Sequence, residues 1–151
     1  MRILQRGFGN RLFVGGAAQP RRSREQGRAQ MQGAPLVYIH AKVSVFDDRG
    51  AIVSSANLNG RSLRWDTEAG IYLNARCDVV ELRRRAMAHW LPKAAAQRFF
   101  EPDTAAAAWA GLALANAARN PEQRQGFILP YDLEIAERFG AAVPLVPDEM
   151  V

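Results

Sequence analysis

The sequence predicts an α/β fold, a mixed β-sheet flanked by helices, and three observations carry that prediction. Leu36 to Phe46 is a run rich in β-branched and aromatic residues, and a second apolar run follows it across the turn "DDRG". Glu68 to Asn74 repeats the strand composition. Beyond Cys77 the apolar spacing changes to that of helices, with capping residues and prolines to bound them.

The elements follow in order. Residues 1–33 are rich in Gly, Arg and Gln, carry no periodic pattern, and read as a basic, loop-like or poorly ordered segment. Residues 34–151 read as the folded domain. Its first strand is Leu36 to Phe46, its first turn Asp47 to Gly50, and its second strand Ala51 to Ala56, antiparallel to the first. "NLNGRSL" leaves that strand and begins a helical turn, and Glu68 to Asn74 forms the third strand. Asp78 with Glu81 is an N-cap pair for a helix that runs to Leu91 and stops at Pro92. Thr104 caps a second helix, ended before Pro121. A third, short helix spans Tyr131 to Phe139 and closes at Gly140, after which Pro144 and Pro147 keep the chain irregular.

Composition narrows the class. At 151 residues and 48% apolar content the chain is long enough for one cored domain and too short for two. No apolar stretch reaches the roughly 18 residues of a membrane span; Thr104 to Ala118 comes nearest. Arg2, Arg6 and Arg11 interrupt any secretory signal, so the expected location is cytoplasmic or on a membrane surface. Cys77, the single cysteine, excludes an internal disulfide and gives no metal framework. The net charge of +5 is uneven: residues 1–33 hold seven arginines against Glu25, and the remainder is close to neutral. Such a segment suits an anionic lipid surface or nucleic acid. It lacks aromatic interleaving and a groove-reading motif, which ranks nucleic acid second.

One short stretch concentrates the reactive groups. Residues two apart on a strand share a face, which puts Tyr38, His40, Lys42 and Ser44 on one side and Ile39, Ala41, Val43 and Val45 on the other, toward a core. A solvated strand face accounts for these residue types. The sequel favours chemistry: Ser55 and Asn57 follow on the next strand, within hairpin reach of Lys42, and Glu68 on the third. Base, cation, amide, hydroxyl and carboxylate then converge on one concavity, an anion site suited to a phosphoryl group.

His40, Lys42, Asp47, Ser55 and Asn57 fit the pattern HxKxxxxDxxxxxxGSxN with every spacing kept, and "SANLNGRSLRWDTEAG" continues it through Arg61, Ser62 and Glu68. This stretch, from Tyr38 to Leu73, resembles the phospholipase D superfamily, in particular its bacterial phospholipase D and cardiolipin synthase-like members. The resemblance implies a phospholipase D-like half-domain that needs no metal or cofactor and transfers a phosphoryl group in two steps through a phosphohistidine. By that analogy His40 is nucleophile or general acid, Lys42, Ser55 and Asn57 hold phosphate oxygens, Glu68 orients an imidazole, and Asp47 belongs to the catalytic motif but braces the site. Arg61 pairs with a nearby acid.

Two departures qualify the analogy. Ser54 stands where the pattern has glycine, adding a Cβ beside the phosphate. The chain also has a single motif, because its other histidine, His89, has no lysine two residues on and reads as a helix-surface or core-edge residue. A second motif is therefore expected from a missing N-terminal half or from a homodimer mate. Trp90, Phe99, Phe100 and Trp109 read as core, Cys77 as a small residue beside a strand end, and Arg83 to Arg85 as a solvated face. Three function classes remain: a phosphodiesterase or phosphatidyltransferase acting on phospholipids, a one-motif homodimeric endonuclease, and an inactive remnant.

Overall fold

The computed structural model describes residues 2–24 and 27–131. In chain order the elements are α1 (Arg2–Phe8), β1 (Gly15–Ala17), β2 (Gln30–Met31), β3 (Ala34–Pro35), β4 (Lys42–Phe46), β5 (Gly50–Ser54), α2 (Gly60–Arg64), β6 (Gly70–Leu73), α3 (Arg76–Trp90), α4 (Pro102–Ala117) and β7 (Ile128–Pro130). They form two compact units, one of residues 40–82 and one of residues up to 39 with 83–131. The class is α/β, with helices accompanying small sheets, and every strand pairing among the described residues is antiparallel. Within β4–β5 the connection is only the turn Asp47 to Arg49, which permits no other sense of pairing.

Residues 40–82 are built on the sheet β4–β5–β6. Its rows are set by register: Lys42 lies opposite Ser54, which lies opposite Gly70, and Val43, Val53 and Ile71 form the next row. The tight β4–β5 turn puts Asp47 in the left-handed region at φ 51°, a conformation aspartate tolerates better than most residues. After β6, α3 begins at Arg76, and Asp78 sits in its first turn, where a carboxylate complements the helix dipole.

The second unit holds most of the apolar core. Ala18, Ala34 and Leu129 form one cluster with Met31 against it. Leu91, Phe99 and Leu112 form another, with Phe100 and Trp109 packed beside them. The Trp109 indole N–H donates to the Phe99 carbonyl at 2.9 Å. α4 starts with Pro102 at its first position, where the missing N–H costs nothing, and Thr104 Oγ1 donates back to the Arg98 carbonyl. Asn116 is 1% exposed, yet its amide is fully used: Nδ2 donates to the Gln125 and Ile128 carbonyls and Oδ1 accepts from the Gln125 N–H. The turn beyond it needs Gly126, at φ +68°, because a Cβ there would lie 2.6 Å from the Trp90 carbonyl oxygen. No described helix is long and apolar enough to cross a membrane.

Several expectations change. The strand expected from Leu36 to Phe46 is two pieces. Leu36 bridges Ala18 and Val37 N–H donates to Ala17, whereas β4 begins only at Lys42. β-Favouring composition runs through a change of partner that it does not reveal. The face expected to be core is open, with Ile39 48% and Val43 40% exposed, since a three-stranded sheet buries little by itself. The second and third strands are shorter than expected, and Ser55 and Ala56 lie beyond β5. Residues 1–33, expected to be loop, contribute α1, β1 and β2, with Ala17 and Ala18 buried; the ladder with β7 is a long-range pairing that local pattern cannot show. The compact units divide the described chain after Ile39 and again after Leu82. The helix expected from Tyr131 to Phe139 lies, beyond its first residue, outside the described residues.

Candidate active site

The site grows out of the row Lys42–Ser54–Gly70 at one end of the sheet. Lys42 is the first residue of β4, half-buried, and His40 precedes it, exposed. Their side chains meet: the Lys42 ammonium nitrogen is 3.0 Å from Nε2 and 3.2 Å from Nδ1 of His40. An ammonium can only donate, so the ring nitrogen it addresses must present a lone pair. This pairs a potential nucleophile with a cation able to offset charge on an attacked phosphoryl group.

Ser54 is accommodated where a glycine was expected. Its neighbour across the ladder is Gly70, and a Cβ on residue 70 would sit 2.8 Å from the Ser54 Cβ. The extra atom at position 54 is thus matched by its absence at position 70. The Ser54 hydroxyl turns to accept the Ala56 N–H at 3.2 Å.

Ser55 is engaged on every side. Its backbone N–H donates to the Ala69 carbonyl at 2.9 Å, its hydroxyl accepts the Ala69 N–H at 3.0 Å, and that hydroxyl donates to Glu68 Oε2. The Glu68 carboxyl is held below the ordinary glutamate value. The Ser55 hydrogen bond contributes most, then that of Ser62; partial burial opposes them, and the charges of Lys42 and Arg61 assist. Ser62 is 8% exposed and sits in α2, whose start is fixed by Asn59: the Asn59 Oδ1 accepts the Ser62 N–H at 2.9 Å. Arg61 on the same helix pairs with Asp66 at 2.9 Å.

The structure therefore brings His40 to Lys42, and Ser55 to Glu68. Asn57, exposed, follows two residues after Ser55 in the segment between β5 and α2. Asp47 is not brought to this cluster. It occupies the turn at the opposite end of β4, and a five-residue extended strand separates the two ends by roughly 16 Å. Its φ of 51° suits the left-handed turn that closes the hairpin. Sequence reading missed two residues here. Ser62 was visible in the "RS" pair, which drew attention only to the arginine. Gly70 was visible only to a reading that paired the strands in register.

The remaining candidates have neighbours of their own. His89 is exposed on α3, stacked on Phe127 at 6.2 Å and edge-on to Trp90. Arg83 donates to the Phe100 carbonyl and Arg84 to Gln97 Oε1, so two of the three arginines of that run brace a turn. Cys77 is an exposed free thiol. Among the described residues no group of three His, Cys, Asp or Glu side chains is placed to hold a metal ion.

A family model described as "Cardiolipin synthase, PLD-like domain" matches residues 11–90, a little over half of the 151. The match contains the whole site and reaches beyond the Tyr38–Leu73 stretch on both sides, starting inside the basic N-terminal segment. No curated protein matches the chain in sequence.

Proposed function

The chain belongs to the PLD-like domain family of cardiolipin synthase, and from that premise we propose that it serves as half of a phosphodiesterase or phosphatidyltransferase site acting on phospholipids. Membership of that family supports phosphodiester processing, and a lipid substrate and a histidine mechanism are proposed with it. The observation that supports it most is the contact between the Lys42 ammonium and the His40 imidazole.

His40 attacks phosphorus through a ring nitrogen, forming a P–N bond as the bond to the departing alcohol breaks. Lys42 and Asn57 hold the non-bridging oxygens, and the ammonium balances the charge that grows there. The departing alkoxide takes its proton from a second imidazole on the far side of phosphorus. That imidazole then removes a proton from water or another alcohol, whose oxygen displaces His40 and releases the phosphoryl product. His89 has no lysine two residues on and is stacked on Phe127, so it is not a second copy of the motif. The second imidazole belongs to another copy of the motif, from a homodimer mate or from further polypeptide. The arginines of residues 1–33 suit an anionic lipid surface.

The test is to trap the intermediate. The chain, alone over a concentration series, is mixed with phosphatidylglycerol vesicles or with single-stranded DNA, quenched in base to preserve the P–N bond, and read by mass spectrometry. A phosphatidyl adduct on His40 that survives EDTA is the expected result. An adduct formed only with DNA would move the assignment to a nuclease. Turnover lost on chelation would replace the histidine mechanism by a metal-dependent one.

A further inference from the structure

Three large apolar side chains stand in water in the segment that follows Asn57. Leu58 is 93% exposed, Leu63 66% and Trp65 67%. Large apolar residues exposed singly are ordinary, but three within one short segment are not. Hydrogen bonds fix that segment. The Asn59 Oδ1 accepts the Ser62 N–H at 2.9 Å, the Leu63 N–H donates to the Asn59 carbonyl at 3.1 Å, and the Trp65 N–H donates to the Arg61 carbonyl at 2.9 Å. Ser62 is buried and turns its side of α2 inward, while Leu63 and Arg64 stay exposed. Leu58 adjoins Asn57, about 3.8 Å away between Cα atoms, so the apolar segment begins at the proposed phosphate ligand.

The charges indicate the occupant. Arg61 is neutralised by Asp66 at 2.9 Å, whereas Arg64 forms no ion pair among the described residues. One available cation among two leucines and an indole matches the boundary of an anionic bilayer, where hydrocarbon lies next to phosphate. Single-stranded nucleic acid is held by several aromatic faces and cations, and leucines offer no face on which a base can stack. Resting on the phospholipid reading of the site, we propose that Leu58, Leu63, Arg64 and Trp65 form a rim that docks on an anionic phospholipid bilayer and offers one lipid's phosphodiester to His40, Lys42 and Asn57. The rim supplies a selectivity that the phosphate ligands lack: it reads the hydrocarbon attached to the phosphodiester.

The experiment uses the full chain with vesicles of phosphatidylglycerol or phosphatidylcholine at low and high salt. Association is read by co-sedimentation, contact by tryptophan quenching with brominated acyl chains, and the phosphate site by the His40 ring NMR signal on addition of inorganic phosphate. Quenching on phosphatidylglycerol is expected to persist at high salt, which screens attraction of the basic N-terminal segment, and to vanish in Trp65→Phe. The double variant Leu58→Ser, Leu63→Ser, whose changes touch no core, is expected to lose association several-fold and to keep the phosphate response. Unchanged quenching in Trp65→Phe, or unchanged association in the double variant, overturns the rim. A Trp65 signal that answers single-stranded DNA and not vesicles overturns it too, in favour of a base-stacking surface. Loss of self-association in the double variant with vesicle binding intact would make the rim an interface between copies and likewise overturn the proposal. A His40 ring that ignores phosphate in the wild-type chain overturns the proposed function instead, and the vesicle readings then judge the rim by themselves.

Discussion

The two units are held together by different means. In residues up to 39 with 83–131, buried apolar clusters around Leu129 and around Leu91, Phe99 and Leu112 are tied by one buried amide, Asn116. In residues 40–82 the strands leave Val43, Val53, Ile71 and Tyr72 exposed, and order comes from ladder register and from polar contacts around Glu68. Substitutions in residues up to 39 and 83–131 should act on stability, and activity should follow only as the folded fraction falls. Substitutions around the site should act on chemistry at nearly constant stability. A unit whose exposed strands must keep a reactive row in place relies on hydrogen-bond geometry, which is directional, where the other relies on burial, which is not.

The strongest way to break this contrast is His40→Ala. Phosphoryl transfer in a competent assembly should fall to background while the melting temperature stays put, because the exposed ring contributes no core. A large drop in melting temperature, read by calorimetry, would mean the site is also a stability element. Next is Asn116→Ala. Removing a buried amide with three hydrogen bonds should cost about 2–4 kcal/mol by urea unfolding. Activity per folded molecule should be unchanged.

A smaller effect sharpens the contrast from within the site. Gly70→Ala pushes a Cβ to 2.8 Å from that of Ser54 and should cost about 1–3 kcal/mol. Ser54→Gly should relieve most of that loss in the double variant, a coupling measurable as a double-mutant cycle. Equal losses with serine or glycine at position 54 would show the clash is with the Val53 carbonyl, 3.2 Å from the same Cβ.

The smallest effect is a pH dependence. Glu68 is held below its ordinary value first by Ser55 and then by Ser62. A depressed carboxyl contributes stability above its unfolded-state pKa and loses it as pH falls through the folded-state one. Glu68→Gln should therefore flatten the acid limb of the melting curve, while Glu122, held low by its own backbone N–H and by Arg22 in the other unit, keeps its share in both proteins. Superimposable acid limbs would show that the low Glu68 carboxyl adds nothing to stability.

The sequence was legible where local chemistry decides structure. The β4–β5 hairpin follows from β-favouring runs around a turn, α3 from its stop at Pro92, and the His40–Lys42 pair from a spacing of two. It was opaque where a distant partner decides. Nothing in "GGA" announces that Gly15 to Ala17 pairs with Ile128 to Pro130. Asn116 hides in an alanine-rich helix because its partners lie nine and twelve residues on, in a loop and a strand. Asp47 fits the motif's spacing, but spacing along an extended strand measures separation as well as membership, and that separation removes it from the reacting groups.

The Ser54–Gly70 row has a consequence for the order in which substitutions can be acquired. With glycine at position 70, position 54 is free to be glycine or serine. Once serine is present, position 70 is locked, since any side chain there meets the Ser54 Cβ. Taken glycine first, the pair is reached without that clash; taken serine first, it passes through it.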